Sequence, residues 1–598
     1  MGSTEGIEQL LEWARSQGAV ISRLVDFQEI SPGNIGAIYQ GNDDDGELDG
    51  SQIKLPIKLA ITLRDAIELF GKDFEVISNN TRNTNSVLKL YLCREVSEEY
   101  LETSKYKSYL KLLPTSEQVG TPYTWTSSYK ELWKGTNLGN SLLENLQQLV
   151  EEWWEIINML PESIKKPQDH FINMKFYYEY KFYKDDDLYE YLVKNYCQQN
   201  WTNFANYLWS SIIIKSRSFP AYLLKQKNQE LQIKQDEAML LPLIDLLNHD
   251  PKSKVNWIID DEYFSFKCDN PQKNSQLFNN YGMKGNEELL LAYGFCIENN
   301  VADSAALKIK IPPELIKEII DFGIELPTLD TYTTSVIRTE ESQNKVANYE
   351  DGIVFFITET NLPENLIQVF QYLVKNEWED DITLRMQLHG LNQLRGAIES
   401  KLQLLKVPNV HDSITKNISI YIKSQQKIFQ STIKSIKSME KHLLKENKSQ
   451  LISLKSVYKK DVKLTQSLLL TFGFTSYEQV LEHEFQDQYW LLYLIRCYNR
   501  EEYMKDIEQD EDDENYLPKW IKRYFDKLIE TTSEIKPQET LQYKDIYQNL
   551  IPPLNKAVPE IFDRGKWGIK EFIYSGRLLD KIGFVRGKEQ ECILVIPK

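Results

Sequence analysis

Cysteine and histidine are scarce, at six residues each in a chain of 598. The cysteines (Cys93, Cys197, Cys268, Cys296, Cys497 and Cys592) are scattered and form no C-x-x-C pair. That argues against a zinc site and a disulfide framework, and fits a reducing compartment. The chain also lacks any run of about eighteen uncharged apolar residues, so no membrane-spanning helix is expected. Its first residues, MGSTEGIEQLLEWARSQG, carry acids in place of the basic start of a secretory signal. Gly6 stands where a myristoylation pattern needs Ser or Thr. No repeat of roughly 20–50 residues is visible. Positive charge is in deficit, with 70 Lys and Arg against 88 Asp and Glu, a net −18. Such a chain is a poor direct binder of nucleic-acid phosphates and suits a basic protein partner better.

What is present is a chain long enough for roughly two to four domains. Residues 7–18 read as a short amphipathic helix closed by Gly18. Residues 31–40 (SPGNIGAIYQ) and the run IKLPIKLAITL read as strands, separated by an acidic loop over 41–50. Residues from about 65 to 215 are mainly helical in period. SKVNWIIDDEYFSFKC, near 253–268, reads as a hairpin with DDEY at its turn. The helical stretch is thus inserted between two strand-rich pieces. From about 310 the pattern is helical almost to residue 500, followed by an acidic run at 501–515 and a terminal strand in ECILVIPK.

The stretch LPLIDLLNHDPKSKVNW (241–257) ends an apolar run in Asn248, His249, Asp250 and Pro251. Asp245 and His249 share a face at i and i+4, but no neighbouring ligand completes a metal site. The bland alternative is an element end whose polar side chains cap backbone groups. About thirty residues later, NNYGMKGNEELLLAYGFCIENNVADS (279–304) holds Gly282 and Gly285, too few glycines for a phosphate cradle. Asn286 is a candidate N-cap, with Glu287 and Glu288 in the first turn.

Taken together, Asn-His after D-L-L and Y-G-x-K-x-N-x-E-L-L-x-x-Y-G-F resemble the SET-domain lysine methyltransferases. The branch typified by the plant Rubisco large-subunit methyltransferase is the most similar, its fungal ribosomal members above all. SPGNIGAIY resembles that branch's opening G-x-G strand, with Asn34 at the first glycine, and LWSSIIIKSRSFP resembles the helix carrying its S-R-x-F. YLKLLPTSEQVGTPYTWTSSYKELWKGTNLGNSL is similar to the start of its inserted helical region.

The resemblance implies an α+β SET domain over residues 20–310, built of short sheets with a pseudoknot and a helical insertion at about 65–215. It implies a mostly α-helical substrate-binding domain over 311–450, and leaves a C-terminal extension over 451–598 of undetermined role. Its cofactor would be S-adenosylmethionine. Gly33, Ile35, Arg217, Asn248 and His249 would bind it, with Arg217 near the methionine carboxylate. Phe219 would wall the substrate channel. Tyr293 would be the hydroxyl at the reacting centre, contacting the cofactor as well, with Tyr281 a second catalytic candidate. No metal is expected.

The implied activity is protein-lysine N-methylation of a large-subunit ribosomal protein. The alternatives are an elongation-factor methyltransferase and a non-catalytic SET-fold escort of ribosomal proteins. The escort would be expected to have lost Tyr293, Arg217 or the Asn248-His249 pair, and all are present. A cytoplasmic monomer, with a nuclear pool as a second location, is the matching expectation.

Overall fold

The computed structural model describes all residues except 1–2, 32, 42–49, 163, 165–200, 227–232, 270, 328–351, 505–516, 532–533, 587–590 and 598. Most of the two acidic runs, part of the helical insertion and Cys197 therefore lie outside the described residues. The chain forms two compact units, Met1–Leu307 with Pro327–Asn348 and Lys401–Ile428, and Lys308–Leu326 with Tyr349–Ser400 and Phe429–Lys598.

The first unit is α+β. Helix α1 (Ser3–Ser16) precedes β1 (Val20–Ile21), β2 (Val25–Ser31), β3 (Asn34–Tyr39) and β4 (Ile53–Pro56). Chain order then brings three helices of the insertion, α2 (Ser86–Glu95), α3 (Leu138–Met159) and α4 (Phe204–Arg217). Short β5 (Phe219–Pro220) and β6 (Ala238–Met239), then β7 (Val255–Ile259), β8 (Tyr263–Cys268) and β9 (Ser275–Leu277), complete its sheets. The orders are β1-β4-β8-β7, β2-β3-β9 and β5-β6, every ladder antiparallel. The strand expected through IKLPIKLAITL is shorter than its alternation suggested. It ends at Pro56 and continues as a 3-10 turn over Ile57–Leu59. The DDEY hairpin forms as read: Asp260 Oδ1 accepts from the N–H groups of Glu262 (2.8 Å) and Tyr263 (2.7 Å), closing the turn.

Helix α3 shows why the insertion folds. Leu138, Leu142, Leu146, Leu149, Trp153, Ile156 and Ile157 are buried at three- and four-residue spacing, one continuous apolar face. One polar group is buried with them. Glu152 Oε1 receives Lys89 Nζ of α2 and Tyr207 Oη of α4, each at 2.5 Å. Three helices thus share one charged node, and losing either cation or hydroxyl would leave a buried carboxylate short of a partner.

The second unit packs helices Val462–Phe472, Gln486–Tyr498, Lys519–Thr531 and Ile569–Ile582 beside an antiparallel sheet of Leu451–Ser453, Glu591–Val595 and Gly583–Arg586. Residues Tyr489–Cys497 are buried on every side, the signature of a central helix. The helical tract read from 310 to 500 is broken by two strands, Ile353–Ile357 and Leu451–Ser453. Both are too short for their period to stand out from the flanking helices.

Candidate active site

The two motif stretches of the first unit lie side by side. Asn279 N–H donates to Asn248 O (2.8 Å) and Asp250 N–H to Asn279 O (3.0 Å), a parallel bridge of His249 with Asn279. Asn280 Nδ2 reaches the carbonyls of Pro251 (3.2 Å) and Ser253 (3.0 Å). The apolar run ends where it does because its backbone polar groups turn to a second segment instead of continuing a sheet. Just before it, buried Leu243 is forced to φ 77 and ψ −50, the rare γ-turn geometry that costs a non-glycine residue energy.

Around this crossing lies a cavity of about 750 Å³, large enough for a nucleoside-sized ligand and a side chain. Gly33, Ile35, Arg217, Asn248, His249, Tyr281 and Tyr293 all line it. Phe219 does not. It is buried against Trp257 (ring centroids 5.1 Å) and Phe264 (5.9 Å), its backbone paired with Met239. The expected channel wall at Phe219 is thus part of the hydrophobic core beneath the site. The lining brings Asp245, Gln276, Trp125, Tyr129, Phe295, Ile414 and Asn417 into its place.

Opening residues of the cavity come from the β2–β3 hairpin. Gly33 has φ 76, a left-handed position that favours glycine. Its N–H is taken by Glu29 Oε1 at 2.7 Å, so its contribution to a ligand is open space, not a donor. Asn34 is extended and pairs with Ser31, so nothing at that position requires glycine. At Gly36 a Cβ would come within 2.5 Å of Gln276 Nε2 and 3.1 Å of Asn248 Nδ2.

The tyrosines divide the work. His249, Tyr281 and Tyr293 form a stack, with centroids 4.8 and 4.9 Å apart and planes within 21°. Tyr281 donates its hydroxyl proton to Leu247 O (2.8 Å), and its own N–H donates to His249 Nδ1 (3.0 Å). Its hydroxyl is thereby committed to the backbone, which gives Tyr281 a wall-forming task. The Tyr293 hydroxyl has no protein partner among the described residues. Burial pushes both phenols well above their ordinary value, so both stay neutral near pH 7. Helix α5 (Asn286–Tyr293) places Tyr293 at its last position and ends in left-handed Gly294, φ 78. A Cβ there would sit 1.9 Å from Val119 O, so only glycine fits. Asn286 is the first helical residue and Gly285 the N-cap. The Asn286 side chain is used instead for Asp303 Oδ2 (2.6 Å) and the backbone of Ile297.

Polar groups facing the cavity remain unsatisfied. Asp245 Oδ1, His249 Nε2 and Gln276 Nε2 are buried without partners among the described residues. With Nδ1 accepting, Nε2 of neutral His249 carries the proton, and burial lowers the ring's pKa. Arg217 donates to Asp245 O (3.1 Å) and lies 3.6 Å from Asp245 Oδ2, which also accepts from Tyr109 Oη (2.6 Å). Burial lifts Asp245 to about 6 despite the pull of Arg217 and Tyr109. Guanidinium, imidazole N–H and a partly unpaired carboxylate together fit a ligand bearing both carboxylate and ammonium. No group of residues suited to a metal ion occurs among the described residues.

Comparison with known proteins identifies the family. Residues 304–447 match the family model described as EFM1 middle domain. Ribosomal lysine N-methyltransferase 1 of Saccharomyces cerevisiae is 31% identical over 82% of this chain and 86% of its own length. Protein-lysine N-methyltransferase EFM1 of the same yeast is 26% identical over 99% and 98%. Ribosomal lysine N-methyltransferase set10 of Schizosaccharomyces pombe is 26% identical over 82% and 85%. With a relative of that identity and coverage, and with the motif stretches forming one cavity, the chain belongs to the SET-domain protein-lysine N-methyltransferases.

Proposed function

We propose that the chain is an S-adenosylmethionine-dependent lysine methyltransferase whose substrate is a large-subunit ribosomal protein. The observation that carries the reaction is the Tyr293 hydroxyl, without a partner among the described residues and stacked into a cavity that also holds an unpaired carboxylate oxygen and unpaired N–H donors. The amino-acid part of the cofactor would be held by Arg217, Asp245, His249 and Gln276, beside Asn248 and the Gly33–Ile35 turn. When bound there, S-adenosylmethionine supplies an electrophilic methyl group.

The protein's own task is to present a neutral amine. A free lysine with a pKa near 10.4 costs about 4–5 kcal/mol to deprotonate at pH 7. Trp125, Tyr281, Tyr293 and Phe295 line the cavity. Such apolar walls disfavour the ammonium and reduce that cost. The Tyr293 hydroxyl, held neutral by burial, orients the reacting centre by hydrogen bonding without acting as a base.

The ribosomal target is supported by the two relatives named as ribosomal lysine methyltransferases. The same chemistry on an elongation factor is the second reading. The match along 99% of the chain to a relative whose name specifies only protein lysine leaves that reading open. A cytoplasmic monomer, with a nuclear pool as alternative, completes the proposal. The test is transfer of labelled methyl groups into ribosomal subunits and elongation factor from cells lacking this protein, with wild type and Tyr293→Phe compared. Label in one ribosomal protein, lost in the variant, is the expected result. Label in the elongation factor would replace the substrate assignment, and no label in either would overturn both.

A further inference from the structure

Helix α6 (Ser413–Glu446) carries polar residues on a face that packs inside the first unit. Asn417, Tyr421, Ser424 and Gln425 recur at i, i+4, i+7 and i+8, the spacing of one helical face. All four bond to one stretch of chain, residues 286–304. Tyr421 Oη donates to Glu287 Oε2 (2.7 Å), Ser424 Oγ to Asp303 Oδ2, and Gln425 Nε2 to Ser304 O (2.9 Å). Asp303 Oδ1 in turn accepts the Asn286 N–H (2.9 Å). These bonds hold the start of α5.

Asn417 holds its end. Its Nδ2 donates to Gly294 O (3.1 Å) and its Oδ1 accepts the Cys296 N–H (3.1 Å). One amide side chain therefore grips the backbone on both sides of Phe295, directly after Tyr293. Across the turn, the Val119 carbonyl occupies the place a Gly294 side chain would need. The peptide following Tyr293 is pinned between the two.

We propose that Asn417 is a positioning residue for methyl transfer: its two-point grip on Gly294 and Cys296 sets where the Tyr293 hydroxyl stands. This rests on Tyr293 serving the reaction as assigned above. Small displacements at a reacting centre cost large factors in rate, whereas binding made by other residues survives them. An acceptor-only replacement leaves the Gly294 carbonyl facing a carboxylate, so retaining shape without the donor does not suffice.

The experiment uses the full chain, ribosomal subunits from cells lacking it, and S-adenosylmethionine binding measured by calorimetry. Variants are Asn417→Ala, Asn417→Asp of equal size, Tyr293→Phe, and Lys423→Ala, an exposed residue of the same helix, as control. Rates are expressed per molecule able to bind S-adenosylmethionine, which removes any misfolded fraction. Both Asn417 variants should lose about tenfold or more in kcat, with the S-adenosylmethionine Kd and the substrate KM within about twofold. Unchanged kcat would overturn the proposal. So would a rise in KM alone, which would make Asn417 a substrate contact. If Tyr293→Phe keeps full activity, the assignment of Tyr293 falls and this proposal with it. If Tyr293→Phe is inactive while both Asn417 variants are normal, only the grip is refuted.

Discussion

The two units solve the problem of a buried interior differently. Around Trp490 the second unit is filled with apolar side chains: Leu491, Leu492, Leu494, Ile495, Phe525, Leu528, Leu554 and Phe572 are all buried. Within that cluster runs the buried Arg496–Asp461 pair at 2.8 Å, and the unit buries the Arg385–Glu379 and Arg395–Glu440 pairs elsewhere. Around Tyr293 the first unit buries Asn286, Asp303, Asp245 and His249 among directional bonds and leaves Asp245 Oδ1 and His249 Nε2 without partners among the described residues. An apolar core gains from area and tolerates rearrangement of equal volume. A polar one costs energy wherever a partner is lost, and in return fixes geometry. Stability and activity should therefore respond to different substitutions in the two regions.

The largest effect expected on stability is in the second unit. Trp490 is fully buried, with Nε1 donating to Cys592 O (3.1 Å). Trp490→Ala should cost about 3–5 kcal/mol in denaturant unfolding, while methyl transfer per S-adenosylmethionine-binding molecule stays the same. In the first unit, Tyr293→Phe should do the reverse. Transfer should fall about a hundredfold or more, equal to about 2.7 kcal/mol, with no loss of melting temperature.

Asp245 sharpens the contrast through pH. Burial raises its carboxyl from 3.8 to about 6, so the folded state favours the protonated form. That contribution is fully present below pH 3.8 and is lost as pH rises through about 6. Unfolding of wild type and Asp245→Asn compared across this window should show wild type losing about 3 kcal/mol relative to the variant as pH rises. A constant difference would mean that Arg217 keeps Asp245 ionised throughout. The smallest effect is expected at Gly282. It has φ 101 with nothing near its missing Cβ, so Gly282→Ala should cost only backbone strain, about 1 kcal/mol, and leave transfer intact. Gly294→Ala, against the Val119 carbonyl, should abolish it.

The contrast also explains what could be read without a structure. The β7–β8 hairpin follows from local alternation and turn chemistry, whereas of the β2–β3 hairpin only the second strand is legible, its partner β2 and its separation from β4 being set by tertiary pairing; the cavity follows from two motif stretches with little sequence between them. Asn286 reads locally as an N-cap, yet its amide is spent on Asp303 and Ile297, so Gly285 takes the cap. Phe219 lies two residues past Arg217, but α4 ends between them, and the direction a side chain takes after a helix ends is not a property of spacing. Asn417 carries no local sign at all. Its partners lie 123 and 121 residues upstream, inside a stretch whose own period reads as an ordinary amphipathic helix.

The antiparallel pairing of β3 with β9, Ala37 opposite Leu277, carries a consequence for how the protein is made. β2 and β3 can close into a hairpin soon after they leave the ribosome, but the strand that completes their sheet is translated about 240 residues later. At roughly 5–20 residues per second, the free edge of β3 waits on the order of 10–50 seconds for its partner. During that interval the nascent chain presents an unpaired strand edge, the usual template for intermolecular pairing. The enzyme is thus itself exposed to aggregation for much of its own synthesis, and its yield in a cell should depend on chaperones that cover that edge until residue 277 arrives.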